Sequence, residues 1–481
     1  MPRVRPRLRL ALILAGLAGL AFVAAAIPRL VPHRRSGVHA ERTAAPREVS
    51  TRRVRAALAP DPELPLDLAE TDVLVAMVCT FRRDQLEPYG QTRPTSPFLN
   101  LLARHGVLFE HAIVQSSWTR PSTGSLVTGR WAQVLQLDDP GDEAFHNRAL
   151  APDFVTIAEA MSAQGYRTIG ASGNPNISST FGFDQGFDAY HEPESLWRDS
   201  SGPAPTGAEL NAQLLAELDA TPSDQRVYLQ GFYVDTHAPR RPATKALRKV
   251  QVEGDSTPRR VLAYDAALLT LDAHLAELYL EVKRRRPNLL FIVVGDHGEG
   301  LTWPAHHGKG HGNYLYTSSV DVPFLWFHPA LPEPGRRIEG LSMGIDLAPT
   351  ILELLGGTFP VPVDGSSQAK ALLGESERSS HDLAFTQTYF RRSDKTAVLG
   401  QGYHLIRDRA AGGEQAMYDL DEALQTDDVS GNHPTVQGLL AEELDQWEQR
   451  VARSLQRQGG PVEGQPSKGM LEQLRTLGYI E

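Results

Sequence analysis

Five short apolar runs limit what this chain can fold into more than any other feature of it. They are "DVLVAMV" (72–78), "YRTIGAS" (166–172), "RVYLQGFYV" (226–234), "NLLFIVVG" (288–295) and "VPFLWF" (322–327). Runs rich in Val, Ile and Phe with little polar alternation read as strands buried on both faces, the kind that parallel sheets covered by helices contain. Longer helical patterns separate them. Residues 260–286 keep Leu268, Leu271, Leu275 and Leu278 at helical spacing and end in Lys283, Arg284, Arg285 and Arg286, cations that suit a helix C-terminus. The alternation predicts an α/β fold, a mostly parallel sheet sandwiched by helices. Past about residue 380 the chain is more polar, with "YHLIRD", "AMYDLDE" and a helical pattern over 435–457. A main domain over 72–379 and a smaller C-terminal α+β subdomain over 380–481 are therefore expected, with no internal repeat.

Charge separates the first residues from the rest. Residues 1–55 hold 12 Arg or Lys against 2 Asp or Glu, a net of +10, so the overall −10 leaves the other 426 residues at −20. An acidic body of that size argues against nucleic acid as a partner. Four arginines precede an uncharged run from Leu10 to Ile27. That pattern predicts an N-terminal membrane anchor over residues 1–32, with a cleaved signal, suited by Ala24, Ala25 and Ala26, as the alternative. Either places the body outside the cytoplasm, on the periplasmic or cell-surface side of a bacterial-type envelope, with the membrane as a partner through that segment. Residues 33–71, rich in Ala, Pro and Arg, read as a flexible linker. Cys79 is the one cysteine, so an internal disulfide is excluded.

Ligands of an open α/β sheet gather beyond the carboxyl ends of its strands. Cys79 follows the first run, Asp235-Thr236-His237 the third and Asp296-His297-Gly298 the fourth, and "HHGKGHGNYLY" brings His306, His307, Lys309 and His311 soon after. Each piece also has an ordinary use: Asp-His-Gly forms turns, and a loop of His and Lys is commonly solvated surface. In "SSWTRPSTGSLVTGR" (116–130), Thr119 before Arg-Pro-Ser fits a helix cap, with Pro121 in the first turn. Capping and catalysis are compatible at such an end. Free backbone N–H groups and the positive end of the helix dipole face the place where an ester's oxyanions would rest.

These segments, together with "FGFDQGFDAY", "IDLAPTILELLG", "VDG", "MYDL" and the ending "LGYIE", occur in an order that resembles the sulfatases and sulfatase-like hydrolases of the alkaline phosphatase superfamily. The resemblance implies that Thr119 is the nucleophile of a hydrolase acting on a sulfuric or phosphoric ester. It implies one divalent cation (Ca, Mg, Mn or Zn) held by Asp296, His297 and Thr119. His237 and His311 would contact the substrate's non-bridging oxygens or protonate the leaving group, with Lys309 a weaker candidate. Thr123, Asp235 and His307 fall on the substrate side. The implied substrate is a small, lipid-linked or glycan-linked anionic ester; nothing in the sequence sets the number of subunits.

Two departures stand out. Sulfatases carry Cys or Ser in a Cys/Ser-x-Pro-x-Arg pattern and oxidise it to formylglycine, whereas here Thr119 opens Thr-Arg-Pro-Ser-Thr and Thr123 takes the arginine's place, so no formylglycine is expected. Cys79 stands where the family has a metal-binding aspartate, and a thiolate suits Zn²⁺ better than Ca²⁺ or Mg²⁺. Two alternatives follow: a transferase moving a phospho-linked group from a lipid-linked donor, and a catalytically impaired relative that binds anions.

Overall fold

Alternate side chains of the strand Asp72–Val78 enter two different cores. Val73, Val75 and Met77 pack into one, and Leu74, Ala76 and Val78 into the other, with all seven residues of the strand buried. Only a central strand with both faces covered does this. This computed structural model describes residues 50–59, 67–138, 147–192, 206–240, 242–252, 254, 256–301, 309–422 and 425–480. Eight described strands form the main sheet, in the order Arg336–Met343, Val107–Ile113, Phe324–Phe327, Leu289–Gly295, Asp72–Val78, Val227–Tyr233, Arg167–Ser172 and Ala189–His191. Phe324–Phe327 runs antiparallel to both neighbours, and the other pairings are parallel. Helices Pro97–His105, Gly207–Asp219 and Arg259–Arg285 cover one face through Phe98, Leu210, Leu214, Leu268 and Tyr279. Helices Thr119–Thr128, Ile157–Ala163 and Leu347–Leu354 cover the other through Leu126, Ile157 and Ile351. The expected α/β sandwich is present.

So is the C-terminal α+β addition. Leu383–Phe390, Ser393–Gly400, Tyr403–Asp408 and Glu414–Asp419 form an antiparallel sheet in chain order. Helix Pro434–Leu455 lies against it, with Trp447 stacked on Phe385 at a centroid distance of 5.2 Å. A bridge between Ser116 and Gln387 ties this sheet to the loop before Thr119.

Three differences from the sequence reading have physical causes. Part of the expected linker is ordered: Thr51–Leu58 is a helix whose Val54 and Leu58, one turn apart, are buried in the core while its arginines stay outside. The edge strands Ala189–His191 and Arg336–Met343 carry no continuous apolar run, because an edge is buried on fewer sides. The helix Thr119–Thr128 has Trp118 as its N-cap, so Thr119 is the first helical residue and does not cap. The Leu10–Ile27 segment lies outside the described residues; among the described ones no helix is long and apolar enough to cross a membrane.

Candidate active site

Three strands of the main sheet and one helix deliver a buried cluster to the sheet's carboxyl edge. Cys79 leaves the strand Asp72–Val78, Asp296 and His297 leave Leu289–Gly295, and His237 follows Val227–Tyr233. Thr119 comes from the helix opposite, whose first turn accommodates Pro121 because the N–H that proline lacks would be unpaired there anyway. The Ser122 hydroxyl donates to the Asp296 carbonyl and fixes that helix against the strand end. Gly298 is required by close approach: a Cβ there would lie 2.0 Å from the Ser318 carbonyl oxygen.

The protons in the cluster can be placed by its hydrogen bonds. His297 Nδ1 lies 2.7 Å from the Gly298 carbonyl and must donate to it, leaving Nε2 unprotonated. The Thr119 hydroxyl, 3.1 Å away, therefore donates to Nε2. His237 repeats the pattern, with Nδ1 2.5 Å from the Ala238 carbonyl and a bare Nε2. His311 Nε2, 3.0 Å from that atom, supplies the proton between the two rings, and the buried His311 Nδ1 has no partner. Gly312 N donates to the Ser117 carbonyl at 2.9 Å, and the Thr388 hydroxyl donates to the Gly312 carbonyl, so the antiparallel sheet holds the His311 loop beside Thr119.

Around His297 Nε2 three further donor atoms converge: Thr119 Oγ1, Asp296 Oδ2 at 3.4 Å and Cys79 Sγ at 3.9 Å. Asp296 Oδ1 accepts from the backbone N–H groups of His297 (2.6 Å) and Thr80 (3.2 Å), but Oδ2 is buried without a hydrogen bond. That oxygen, facing the nitrogen that accepts from Thr119, is a donor a cation could use. Burial pushes the Asp296 carboxyl well above its usual range. Cys79 Sγ, a carboxylate oxygen of Asp296 and a ring nitrogen of His297 lie within 4.8 Å of one another. Ligand atoms of a tetrahedral zinc stand roughly 3.3–3.8 Å apart, given bonds of about 2.0–2.3 Å. The mixed S, O and N set thus fits a borderline cation such as Zn²⁺ better than Ca²⁺, which takes six or more oxygens.

The structure sorts the remaining candidates. Thr123 sits one helical turn beyond Thr119 with a buried hydroxyl that has no partner. Asp235 Oδ1 accepts from Gly207 N (3.1 Å) and pairs with His274 Nδ1 (3.1 Å), joining two helices, while its Oδ2 is buried without a hydrogen bond. Lys309 is exposed on a two-residue strand, because "GKG" offers it nothing apolar to pack on. His307 lies outside the described residues. Two residues in the cluster escaped sequence reasoning. Asn174 follows the strand Arg167–Ser172, and a polar group at a buried strand's end is a signal that could have found it; Tyr479, in the "LGYIE" ending, had only the quoted motif as a signal. Arg120, the residue after Thr119, has its buried guanidinium over the Phe181 ring at 3.7 Å, bound to Asn176 Oδ1 at 2.7 Å and the Arg148 carbonyl at 2.9 Å. Burial lowers its pKa to about 9.

Comparison with known proteins bears on this arrangement. The sulfatase family model matches residues 71–357, well over half of the chain, and the model for the C-terminal region of N-sulphoglucosamine sulphohydrolase matches residues 306–449. The chain belongs to the sulfatase family. Among its relatives in that family, the delta 4,5-hexuronate-2-O-sulfatase of Bacteroides thetaiotaomicron is 21% identical over 422 residues, covering 76% of this chain and 85% of the relative. Arylsulfatase A of Bos taurus is 26% identical over 346 residues, 63% of this chain and 68% of that protein. The solved phosphonate monoester hydrolase of Agrobacterium radiobacter shares the fold at a TM-score of 0.63 and 17% identity, covering 82% of this chain and all of that one.

Burial also sets a pH expectation. It lowers His237 to about 4 and His297 to about 3, and holds His311 below the usual imidazole value as well. A histidine whose folded pKa is depressed withholds stability only as pH falls below its unfolded value of about 6.5 and on towards its folded pKa. The rings are neutral across the physiological range. At a fixed, saturating metal content we expect kcat/KM for 4-nitrophenyl sulfate, whose own charge is constant over this range, to show no half-point near pH 6.5 from these rings; a rate profile from pH 4 to 8 checks it.

Proposed function

We propose that this sulfatase-family ester hydrolase attacks an anionic phosphoric or sulfuric ester with Thr119. The observation that carries the reading is the Thr119 oxygen, buried at a helix N-terminus and 3.1 Å from an unprotonated His297 Nε2, within the Cys79–Asp296–His297 group. The Thr119 Oγ1–phosphorus or –sulfur bond forms as the bond to the leaving oxygen breaks, and the electron pair leaves with that oxygen. His297 Nε2 accepts the hydroxyl proton. The His311 Nε2–H that bonds His237 can donate a hydrogen bond to the leaving oxygen, which departs as the anion, and water then hydrolyses the threonine ester. The helix N-terminus places positive charge where non-bridging oxygens would lie.

Cys79, Asp296 and His297 would hold a single divalent cation, which when bound supplies Lewis acidity at the Thr119 oxygen. The His297 lone pair serves the cation or the hydroxyl proton, not both at once. A glycan-linked ester is supported by the hexuronate-2-O-sulfatase among the relatives, and phosphorus chemistry by the phosphonate monoester hydrolase fold.

Phosphorus is favoured on chemical grounds. Hydrated formylglycine expels sulfate with its second hydroxyl, and an ordinary threonine ester has none. Steady-state rates on 4-nitrophenyl phosphate and 4-nitrophenyl sulfate test this, with faster phosphate cleavage expected. A sulfate preference of about tenfold, roughly 1.4 kcal/mol in the barrier, would reverse the assignment.

A further inference from the structure

The helix Lys468–Thr476 and the turn after it carry Tyr479 into the cluster around Thr119. Ser467 caps the helix Lys468–Thr476 by accepting from Met470 N, and Met470, Leu474, Leu477 and Tyr479 are buried in the main core. The helix is closed by a Schellman turn: Gly478 N donates to the Arg475 carbonyl and Tyr479 N to the Leu474 carbonyl, both at 2.9 Å. Gly478 has a φ of 79°, the left-handed conformation such a reversal needs. Arg391 Nη2 donates to the Gly478 carbonyl at 2.9 Å and pins the turn to the antiparallel sheet. The reversal throws the Tyr479 ring onto His237, centroids 5.4 Å apart and nearly parallel, and puts its hydroxyl 2.7 Å from Thr119 Oγ1.

The direction of that last hydrogen bond follows from its neighbours. Asn174 Oδ1 accepts from Asn176 N at 2.9 Å, which fixes the amide so that Nδ2 donates to the Tyr479 oxygen at 3.0 Å. Thr119 gives its own proton to His297 Nε2. The Tyr479 O–H therefore points at the Thr119 oxygen, in a one-way chain from Asn174 through Tyr479 and Thr119 to His297.

We propose that Tyr479 is a catalytic residue, delivered by the tail, whose phenolic O–H stabilises negative charge on the Thr119 oxygen and on the group that oxygen attacks. The proposal rests on the reading of Thr119 as nucleophile. The phenol keeps its proton throughout: it donates to the oxygen before attack and, from the same place, reaches a non-bridging oxygen of the newly bonded phosphoryl or sulfuryl group. A neutral donor aimed at developing charge in a buried site acts mainly in the transition state. Its loss therefore lowers kcat more than it raises KM.

The test compares wild type, Tyr479→Phe and Thr119→Ala on 4-nitrophenyl phosphate and 4-nitrophenyl sulfate, with thermal unfolding of each. Phe keeps the ring on His237 and removes only the hydroxyl. The expected result is a fall in kcat of about 10- to 1,000-fold with KM within about threefold. Tyr479→Phe at wild-type kcat, with Thr119→Ala inactive, overturns the proposal and leaves the nucleophile standing. A rise in kcat also overturns it, by making the phenol a plug on Thr119. Full turnover by Thr119→Ala, or a wild type inert to both esters, removes the nucleophile reading and this proposal with it. Should Tyr479→Phe not fold, Asn174→Ser carries the same test by freeing the phenol from its donor: a several-fold loss of kcat supports the proposal, and an unchanged kcat overturns it.

Discussion

Thr119→Ala is expected to lower ester hydrolysis by roughly three orders of magnitude or more while leaving a folded protein. Activity should vanish because no other described hydroxyl takes the same place: Thr119 Oγ1 lies between His297 Nε2 and the Tyr479 phenol, at 3.1 and 2.7 Å, whereas the Cys79 sulfur is 3.9 and 3.8 Å from them. The effect on stability has a different origin from the one the sequence suggests. Read as a cap, the threonine would be worth about 1 kcal/mol to its helix. In the structure Trp118 is the N-cap and the Thr119 hydroxyl makes no capping bond, so the alanine leaves the helix end as it was. What it removes is the acceptor for Tyr479 and the donor to His297, both buried, a loss of about 1–3 kcal/mol. Chemical denaturation of the two proteins measures that difference, and assays with an aryl phosphate at high enzyme concentration measure the residual rate. Near wild-type turnover in the alanine variant would exclude covalent catalysis through Thr119.

Cys79→Asp is expected to exchange one metal preference for another. With the thiol present the donor set is sulfur, oxygen and nitrogen, and zinc is the cation it favours; with aspartate it becomes a carboxylate-rich site that Mg²⁺, Mn²⁺ or Ca²⁺ can use. Burial, and then the nearby Asp296, push the Cys79 thiol well above its usual pKa, so zinc uptake has to drive off that proton and should weaken as pH falls. Zinc affinity should drop in the variant by more than the roughly 10- to 100-fold that follows loss of a ligand's own hydrogen-bond partner. Hydrolysis by the variant should rise with Mg²⁺, Mn²⁺ or Ca²⁺ and fall with Zn²⁺. Metal content after dialysis and ester hydrolysis in each ion, for both proteins, decide the matter. If neither quantity responds in any ion, Cys79 is a packing residue at the strand end and nothing more.

The parts of the fold that were legible are those whose burial leaves a local pattern. Asp72–Val78, Val227–Tyr233 and Leu289–Gly295 are buried along their whole length and read as mainly apolar runs, interrupted only by Asp72 and Gln230. Arg336–Met343 pairs along one side, holds a register irregularity between Ile338 and Leu341, and mixes charge with apolar residues, so no period marks it. In the site, residues that follow buried strands were legible because the sheet itself carries them to one edge. Whether such a residue then faces the cluster is a tertiary matter: Asp235 and His237 are two apart, yet the first bonds to His274 and the second to His311. Tyr479 was illegible for the opposite reason. It meets Thr119 across 360 residues, and nothing local in "LGYIE" says where a Schellman turn will aim the ring.

The most direct measurement is the mass of the Thr119 peptide after wild-type enzyme turning over 4-nitrophenyl phosphate is quenched in acid and digested. The expected result is an added phosphoryl group on that peptide, mapped to Thr119 and absent from Thr119→Ala, which should also be inactive. An enzyme that turns the ester over with no adduct on Thr119, together with an alanine variant that still turns it over, would contradict the account.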